Sequence, residues 1–275
     1  MKVAVTGGSG FIGLPTIHAG EKAGHEMWTF DRADGNDIMG DLKDLKGADA
    51  VIHLAGVLGT HELFDSAEEA VEVNVRGALR IMEWCVRNNA AYVGIVMPDV
   101  FPSIYTATKV ASQRLATALH ESMGLPVAHV RAFNAYGPGQ KHGKGHPQKI
   151  LPTFATKAWN REPLPIWGSG KQTVDMIHVD DLGRMLIDAL EHTQDNVTFD
   201  GGTGIAMTVE QVASLALRTA GWEFDGNPGR MQLLPMRRGE KETHIVATGE
   251  GWERLGWRPR YDTTLMQEAI RWYRP

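Results

Sequence analysis

The chain has 275 residues, 43% hydrophobic and 22% charged, with one cysteine and a formal net charge of −5. That composition fills a core and excludes wholesale disorder, an intrachain disulfide and a multi-thiolate zinc site. It argues against a nucleic-acid partner and, with no apolar run near the roughly 20 residues that cross a bilayer, against a membrane.

The first residues, Lys2-Val3-Ala4-Val5-Thr6, read as a strand; no signal peptide is expected, and a cytoplasmic protein is. The strand runs into Gly7-Gly8-Ser9-Gly10-Phe11-Ile12-Gly13, and a helix follows. Glycines at that junction permit a tight turn and let backbone N–H groups approach a pyrophosphate at the positive end of the helix. A second apolar run, Met27 to Phe30, ends on Asp31, where a carboxylate accepts hydrogen bonds from an adenosine ribose. The same charge repels the 2′-phosphate of NADP and favours NAD. Arg32, next in the chain, is the residue to hold that phosphate if Asp31 turned away.

Val51 to Leu54, Tyr92 to Val96 and Val127 to Val130 continue the strands, with helices expected over Glu68 to Arg87 and Thr106 to Glu121. Strands apolar on both faces and alternating with helices imply an α/β fold of Rossmann type, a doubly wound parallel sheet over residues 1–135. From Tyr136 to Pro147 the chain is rich in glycine, proline and lysine and reads as a loop, placed to close over an anionic substrate. Beyond it come short strands at Pro163 to Trp167 and Val174 to Val179, and helices at Asp181 to Leu190, Val209 to Thr219 and Leu265 to Tyr273. Residues 136–275 are expected to form mostly a small C-terminal substrate-binding lobe, with some segments returning to the first domain. His142 and His146 lie in the loop without firm geometry, so no metal site is expected. Cys85, in an amphipathic stretch, reads as a core residue.

A spaced set now stands out: the glycine turn, Asp41-Leu42, His53-Leu54-Ala55-Gly56, Asn74, and Tyr105-Thr106-Ala107-Thr108-Lys109. Arg131 to Gln140, Pro163 to Gly168, Gln172 to Asp175, His178 to Asp181, Arg237 to Glu240 and Leu255 to Pro259 carry it onward. The ordered series resembles the extended short-chain dehydrogenase/reductase superfamily, in its NAD-dependent nucleotide-sugar epimerase/dehydratase branch, over nearly the whole chain. The resemblance implies an NAD site lined by Gly7, Gly10, Phe11, Ile12, Gly13, Asp31, Asp41, Leu42, Leu54 and Ala55, with Arg32, Gly56, Asn74, Tyr105 and Lys109 beside it. It implies a nucleotide-sugar substrate whose diphosphate meets Asn134 and Arg237 or Arg238, and whose base lies against Ile166 and Trp167. Trp167 reads equally as a core aromatic. In that family the helices beginning near Glu68 and Thr106 pair with a second copy, which implies a homodimer; alternatively their apolar stripes only cover the sheet.

By the same resemblance Tyr105 is the catalytic base. A free phenol titrates near pH 10, too high for a base at neutral pH. Lys109, four residues on, shares its helix face, and an ammonium there favours phenolate. Tyr105 is then expected to take a proton from a sugar hydroxyl while hydride leaves the same carbon. The Ser or Thr that the family places after the fourth strand falls here on Met97, which has no useful donor, and the loop before Tyr105 is short. Ser103 is the expected replacement, with Thr106 or water as alternatives. The family's 4,6-dehydratases carry an Asp-Glu pair directly after that Thr. Here Pro98-Asp99 leaves one acid, Asp99, which is either a general acid–base group or a loop cap. Val174 stands where the family has Arg, which leaves Lys171 or the lysines between Lys141 and Lys149 to meet phosphate. The favoured reading is an epimerase acting through transient oxidation at the sugar C4. Its alternatives are a nonstandard dehydratase, a non-catalytic NAD-binding sensor and an NADPH-consuming reductase of a small carbonyl compound.

Overall fold

The apolar runs of the first half form β1 (Lys2–Thr6), β2 (Glu26–Phe30), β3 (Ala50–His53), β4 (Ala91–Val96) and β5 (Val127–Ala132). The later strands are β6 (Asn134–Tyr136), β7 (Leu164–Trp167), β8 (Thr173–His178), β9 (Val197–Gly201), β10 (Ala206–Thr208) and β11 (Met231–Leu234). The computed structural model describes residues 1–98, 100–143, 146–222 and 228–275, so Asp99 and, in the glycine-rich loop, Lys144 lie outside the described residues.

Among the described residues, a six-stranded sheet runs in the order β2-β1-β3-β4-β5-β9, and every pairing in it is parallel. Alternate residues of each strand face opposite sides of a sheet. Val3, Val5, Ile52, Val93 and Val130 pack into one core; Ala4, Val51, Tyr92 and Val127 pack into the other. Both faces are therefore dry, which is why the strands read as unbroken apolar runs. The chain leaves β1 for β2 on one side and crosses back to β3 on the other. The crevice beyond the carboxyl ends of β1 and β3 is thus the topological switch point, where such sheets bind ligands.

The helices are α1 (Gly13–Lys22), α2 (Ala67–Val71), α3 (Ala78–Asn88), α4 (Ile104–Met123), α5 (Ile150–Trp159), α6 (Val179–Asp188), α7 (Val209–Thr219), α8 (Trp252–Leu255) and α9 (Thr263–Trp272). Where one helix over Glu68 to Arg87 is expected, a π-helical stretch at Glu72–Gly77 separates α2 from α3. The wider turn carries Asn74, and such bulges gather at functional sites. The expected helix from Thr106 instead begins at Ile104, because Ser103 caps it by accepting the Thr106 N–H at 3.1 Å. Cys85 is buried, as expected, and burial pushes its thiol up to about 12.

After β5 the chain builds a second core from α5, α7 and α9 with β7 and β10, while β9 returns to the large sheet. Two buried carboxylates tie the late segment to these strands. Asp175 accepts N–H bonds from Thr203, Gly204 and Ala247. Asp200 accepts from Thr248 and Gly249 and pairs with Arg131 at 2.7 Å. No helix among the described residues is long and apolar enough to cross a membrane.

Candidate active site

The turn after β1 is shaped by what its residues lack. Gly7 holds φ +71°, and a Cβ there would stand 2.8 Å from the Ala55 N at the end of β3. The backbone of the turn therefore lies against the chain leaving β3, at the switch point. No acidic residue occupies the first turn of α1, so the positive end of its dipole meets no opposing carboxylate there. This cradle fits a dinucleotide pyrophosphate. Asp31 ends β2 with its Oδ1 accepting the Ala33 N–H at 2.9 Å and its Oδ2 accepting the Ser9 N–H at 3.3 Å. Asp34, which the sequence reading passed over, accepts from the hydroxyls of Ser9 and Thr29. Two carboxylates at the adenosine end strengthen the argument against a 2′-phosphate. Arg32 is exposed in the short helical turn that Asp31 caps. Asp41 is exposed and accepts the Lys43 N–H, and Leu42 is half-buried beside the core.

Across the crevice, the chain leaving β3 is held by Asn74. Its Oδ1 accepts the Val57 N–H at 2.9 Å, and its Nδ2 donates to the Val57 carbonyl at 3.0 Å and to the Thr108 hydroxyl at 3.2 Å. The Thr108 hydroxyl in turn donates to the Tyr105 carbonyl at 2.9 Å. The Asn74 amide is thereby committed to protein partners, a clamp between the β3 edge and the first turns of α4. Gly56 sits inside the clamp, where a Cβ would come within 2.8 Å of Asn74 Oδ1 and 3.9 Å of Lys109 Nζ. Lys109 thus reaches the crevice beside Gly56, with Tyr105 one helical turn before it.

Burial lowers the Lys109 amine to about 8 and is also what pushes the Tyr105 phenol above its ordinary value. The sequence leads one to expect the neighbouring ammonium to hold that phenol down. In the protein alone desolvation prevails, because a phenolate in a dry site loses more hydration than a partly compensated charge returns. Behind them His53 stays neutral, lowered to about 3 by burial and by the charge of Lys109. Its Nδ1 lies 2.7 Å from the Thr6 hydroxyl. Ser103 is buried at the head of α4, its Oγ 3.0 Å from Thr106 Oγ1. Met97 follows β4 directly and is half-buried.

The substrate lobe fits the expectation less closely. Asn134 is exposed on β6. Ile166, expected against a nucleobase, is instead fully buried in the lobe core, because β7 turns it towards α5 and α7. Trp167, next on the strand, is half-buried with the Arg237 guanidinium 5.2 Å above its ring. Arg237 donates to both oxygens of Glu240, at 2.8 and 2.5 Å, and lies 4.0 Å from Glu62. Arg238 is exposed, stacks on Phe64 and pairs with Asp65 at 3.4 Å. Glu62 and Thr60, which face this turn from the β3 side, were not singled out by the sequence. Their signal is only positional: both follow His53-Leu54-Ala55-Gly56 within ten residues.

A model of the NAD dependent epimerase/dehydratase family matches residues 3–96 and 98–200 of the chain. The dTDP-glucose 4,6-dehydratase of Streptomyces niveus is 26% identical over 323 aligned positions, covering 100% of this chain and 93% of that protein. Among solved structures, the dTDP-glucose 4,6-dehydratase DesIV from Streptomyces venezuelae superposes with a TM-score of 0.86 at 25% identity, covering 100% of this chain and 97% of that one. UDP-glucose 4-epimerase of Thermus thermophilus superposes at 0.83 with 21% identity, covering 100% and 99%, a likeness of fold.

Proposed function

The chain belongs to the NAD dependent epimerase/dehydratase family, and from that premise we propose that it is a nucleotide-sugar epimerase working through transient oxidation at the sugar C4, with Tyr105 as base. The observation that carries this reading is the approach of the buried Lys109 amine to Gly56 at the switch-point crevice, with Tyr105 one turn earlier on α4. The glycine cradle at Gly7, Gly10 and Gly13 would hold NAD, which would supply reversible hydride acceptance with no net redox change.

The chain's own residues then divide the work. Tyr105 takes the C4 hydroxyl proton at Oη and returns it to the ketone oxygen when the hydride comes back. Because burial pushes its pKa up, the phenol is a ready donor on the return and needs nearby positive charge on the way out. Lys109, with a pKa of about 8, is mostly protonated at pH 7 and supplies part of that charge. By the family resemblance Lys109 would also bind the nicotinamide ribose. Asn74 keeps Val57 and Thr108 in register. Asn134, Arg237 and Lys149 meet the diphosphate, and Trp167 offers its ring to the base; Val174 gives no charged contact, so Lys149 takes over that part. Ser103 is the proposed donor to the substrate oxygen in place of Met97. The same reading makes the enzyme cytoplasmic and homodimeric through the faces of α3 and α4.

Epimerisation is preferred to 4,6-dehydration because Met97-Pro98-Asp99 lacks the paired acids that elimination of water uses. Dehydration of a nonstandard kind is the second reading, supported by the dehydratase names of the sequence relatives and the one remaining acid, Asp99. Incubating the purified chain with UDP-, GDP- and dTDP-sugars and following products by NMR separates them: an epimer supports the first, a 4-keto-6-deoxy sugar the second. Tyr105→Phe is expected to lower turnover by about 10²–10⁴-fold, the usual reach of a general base. NAD binding with no conversion across the panel would leave a sensor on an enzyme fold.

A further inference from the structure

The segment after β3 is fastened to the turn at Arg237–Glu240. The Thr60 hydroxyl donates to Glu240 Oε1 at 2.5 Å. Glu62 Oε1 accepts the Gln148 N–H at 3.1 Å and lies 4.0 Å from Arg237 Nη1. Phe64 packs under Gly239 and the Arg238 guanidinium, and Asp65 pairs with Arg238. At the centre of this strap stand two cations, Arg237 and Lys149, and two carboxylates, Glu62 and Glu240. Glu240 is the better buried, its side chain 9% exposed, and holds Arg237 by two bonds. Glu62 is 37% exposed and reaches Arg237 only at the limit of an ion pair. Lys149 lies close enough to feel the charges of both Glu62 and Arg237.

We propose that Glu62 is a displaceable counter-charge: it neutralises Arg237 and Lys149 until the diphosphate of a nucleotide substrate takes its place, and so sets the affinity of the substrate end. The inference rests on the nucleotide-sugar reading above. Three features support it. Burial acts to raise the Glu62 carboxyl, but N–H groups of its own turn and of Gln148, with the Arg237 charge, hold it below the usual carboxylate value; it is therefore an anion at neutral pH. Its hold on Arg237 is a single long contact, whereas Glu240 makes two short bonds, so Glu62 is the partner that yields. Finally, two cations against two carboxylates sum to zero, and a diphosphate added without the departure of a carboxylate would meet no net attraction.

The test uses the full NAD-loaded chain and equilibrium dialysis with UDP, dTDP and GDP. Glu62→Gln keeps an acceptor for the Gln148 N–H and removes only the charge. It is expected to bind the preferred nucleotide about 10-fold more tightly, the size of one unscreened like charge at contact range, with NAD affinity unchanged. Binding that is unchanged or weaker in Glu62→Gln overturns the proposal, the first outcome marking a merely structural ion pair and the second a direct contact of Glu62 with the nucleotide. No binding by either protein overturns the nucleotide-sugar reading and this proposal with it. Should Glu62→Gln fail to fold, Glu62→Asp draws the carboxylate back from Arg237 and is expected to tighten binding in the same direction.

Discussion

On the proposed reading the two ends of the cleft both receive anions, and they are built in opposite ways. At the turn after β1 the attraction comes from backbone N–H groups and a helix dipole, with no opposing acid in the first turn of α1. At the other end it comes from side-chain cations already answered by Glu62 and Glu240. A backbone cradle cannot be switched off and suits a ligand that stays bound through every cycle. A neutralised side-chain cluster gives way and re-forms, which suits a ligand that must leave. The difference predicts how each end responds when altered.

The cradle is the more brittle. Gly7→Ala places a Cβ in a φ of +71° and 2.8 Å from the Ala55 N, so either the turn opens or β3 shifts. Strain of that kind costs roughly 1–3 kcal/mol before any clash. NAD affinity is expected to fall about 100-fold and, since no side-chain charge changes, to do so equally at low and high salt. Fluorescence titration with NAD at two ionic strengths checks both points. A loss that salt restores or deepens would erase the contrast with the Arg237 cluster.

The same contrast explains what could be read from the sequence. Gly7 and Asp31 stand at a spacing fixed by a strand–turn–helix unit, and Tyr105 and Lys109 one helical turn apart, so local pattern together with the family resemblance marks them as candidates. Asp34 was missed because its partners Ser9 and Thr29 come from two different elements. The Glu62–Arg237–Glu240 cluster joins segments remote in sequence, and nothing in the local pattern of either marks the partner. Ile166 was misplaced because the sequence of a short strand does not say which of its faces meets the core. The π-helical stretch at Glu72–Gly77 adds a wide turn without disturbing composition, so an unbroken helix was the natural expectation.

A second way to sharpen the comparison concerns the dry floor between the two ends. Lys109 is 5% exposed, and its pKa is lowered from 10.5 to about 8 by burial. Between those values the unfolded chain binds the extra proton, so stability rises with pH. The contribution is complete above 10.5 and is lost as the pH falls through 8, leaving a buried charge as a full cost at pH 7. Lys109→Met should therefore make the NAD-free protein more stable at pH 7 by about 2–3 kcal/mol. That gain should shrink as pH rises from 8 towards 10.5, while turnover is lost throughout. Denaturant melts at pH 7 and pH 10 measure it; a gain independent of pH would mean the amine is not desolvated as described.

The smallest effect separates two duties of Ser103. Its Oγ accepts the Thr106 N–H and shares a hydrogen bond with Thr106 Oγ1. If the Thr106 hydroxyl is the donor in that pair, both acceptor positions of Ser103 are taken and its own hydrogen is free for a substrate oxygen. If Ser103 is the donor, its hydrogen is spent inside the helix cap and nothing remains for the sugar. Ser103→Ala removes the cap in either case, at a cost of about 1 kcal/mol of stability. Only the first arrangement also predicts slower turnover at saturating substrate. Ser103→Ala is accordingly expected to lower both the unfolding midpoint and kcat, with KM nearly unchanged because the contact is made as charge develops on the oxygen. A lowered midpoint with kcat intact would assign Ser103 to the helix alone and leave water as the partner of Tyr105.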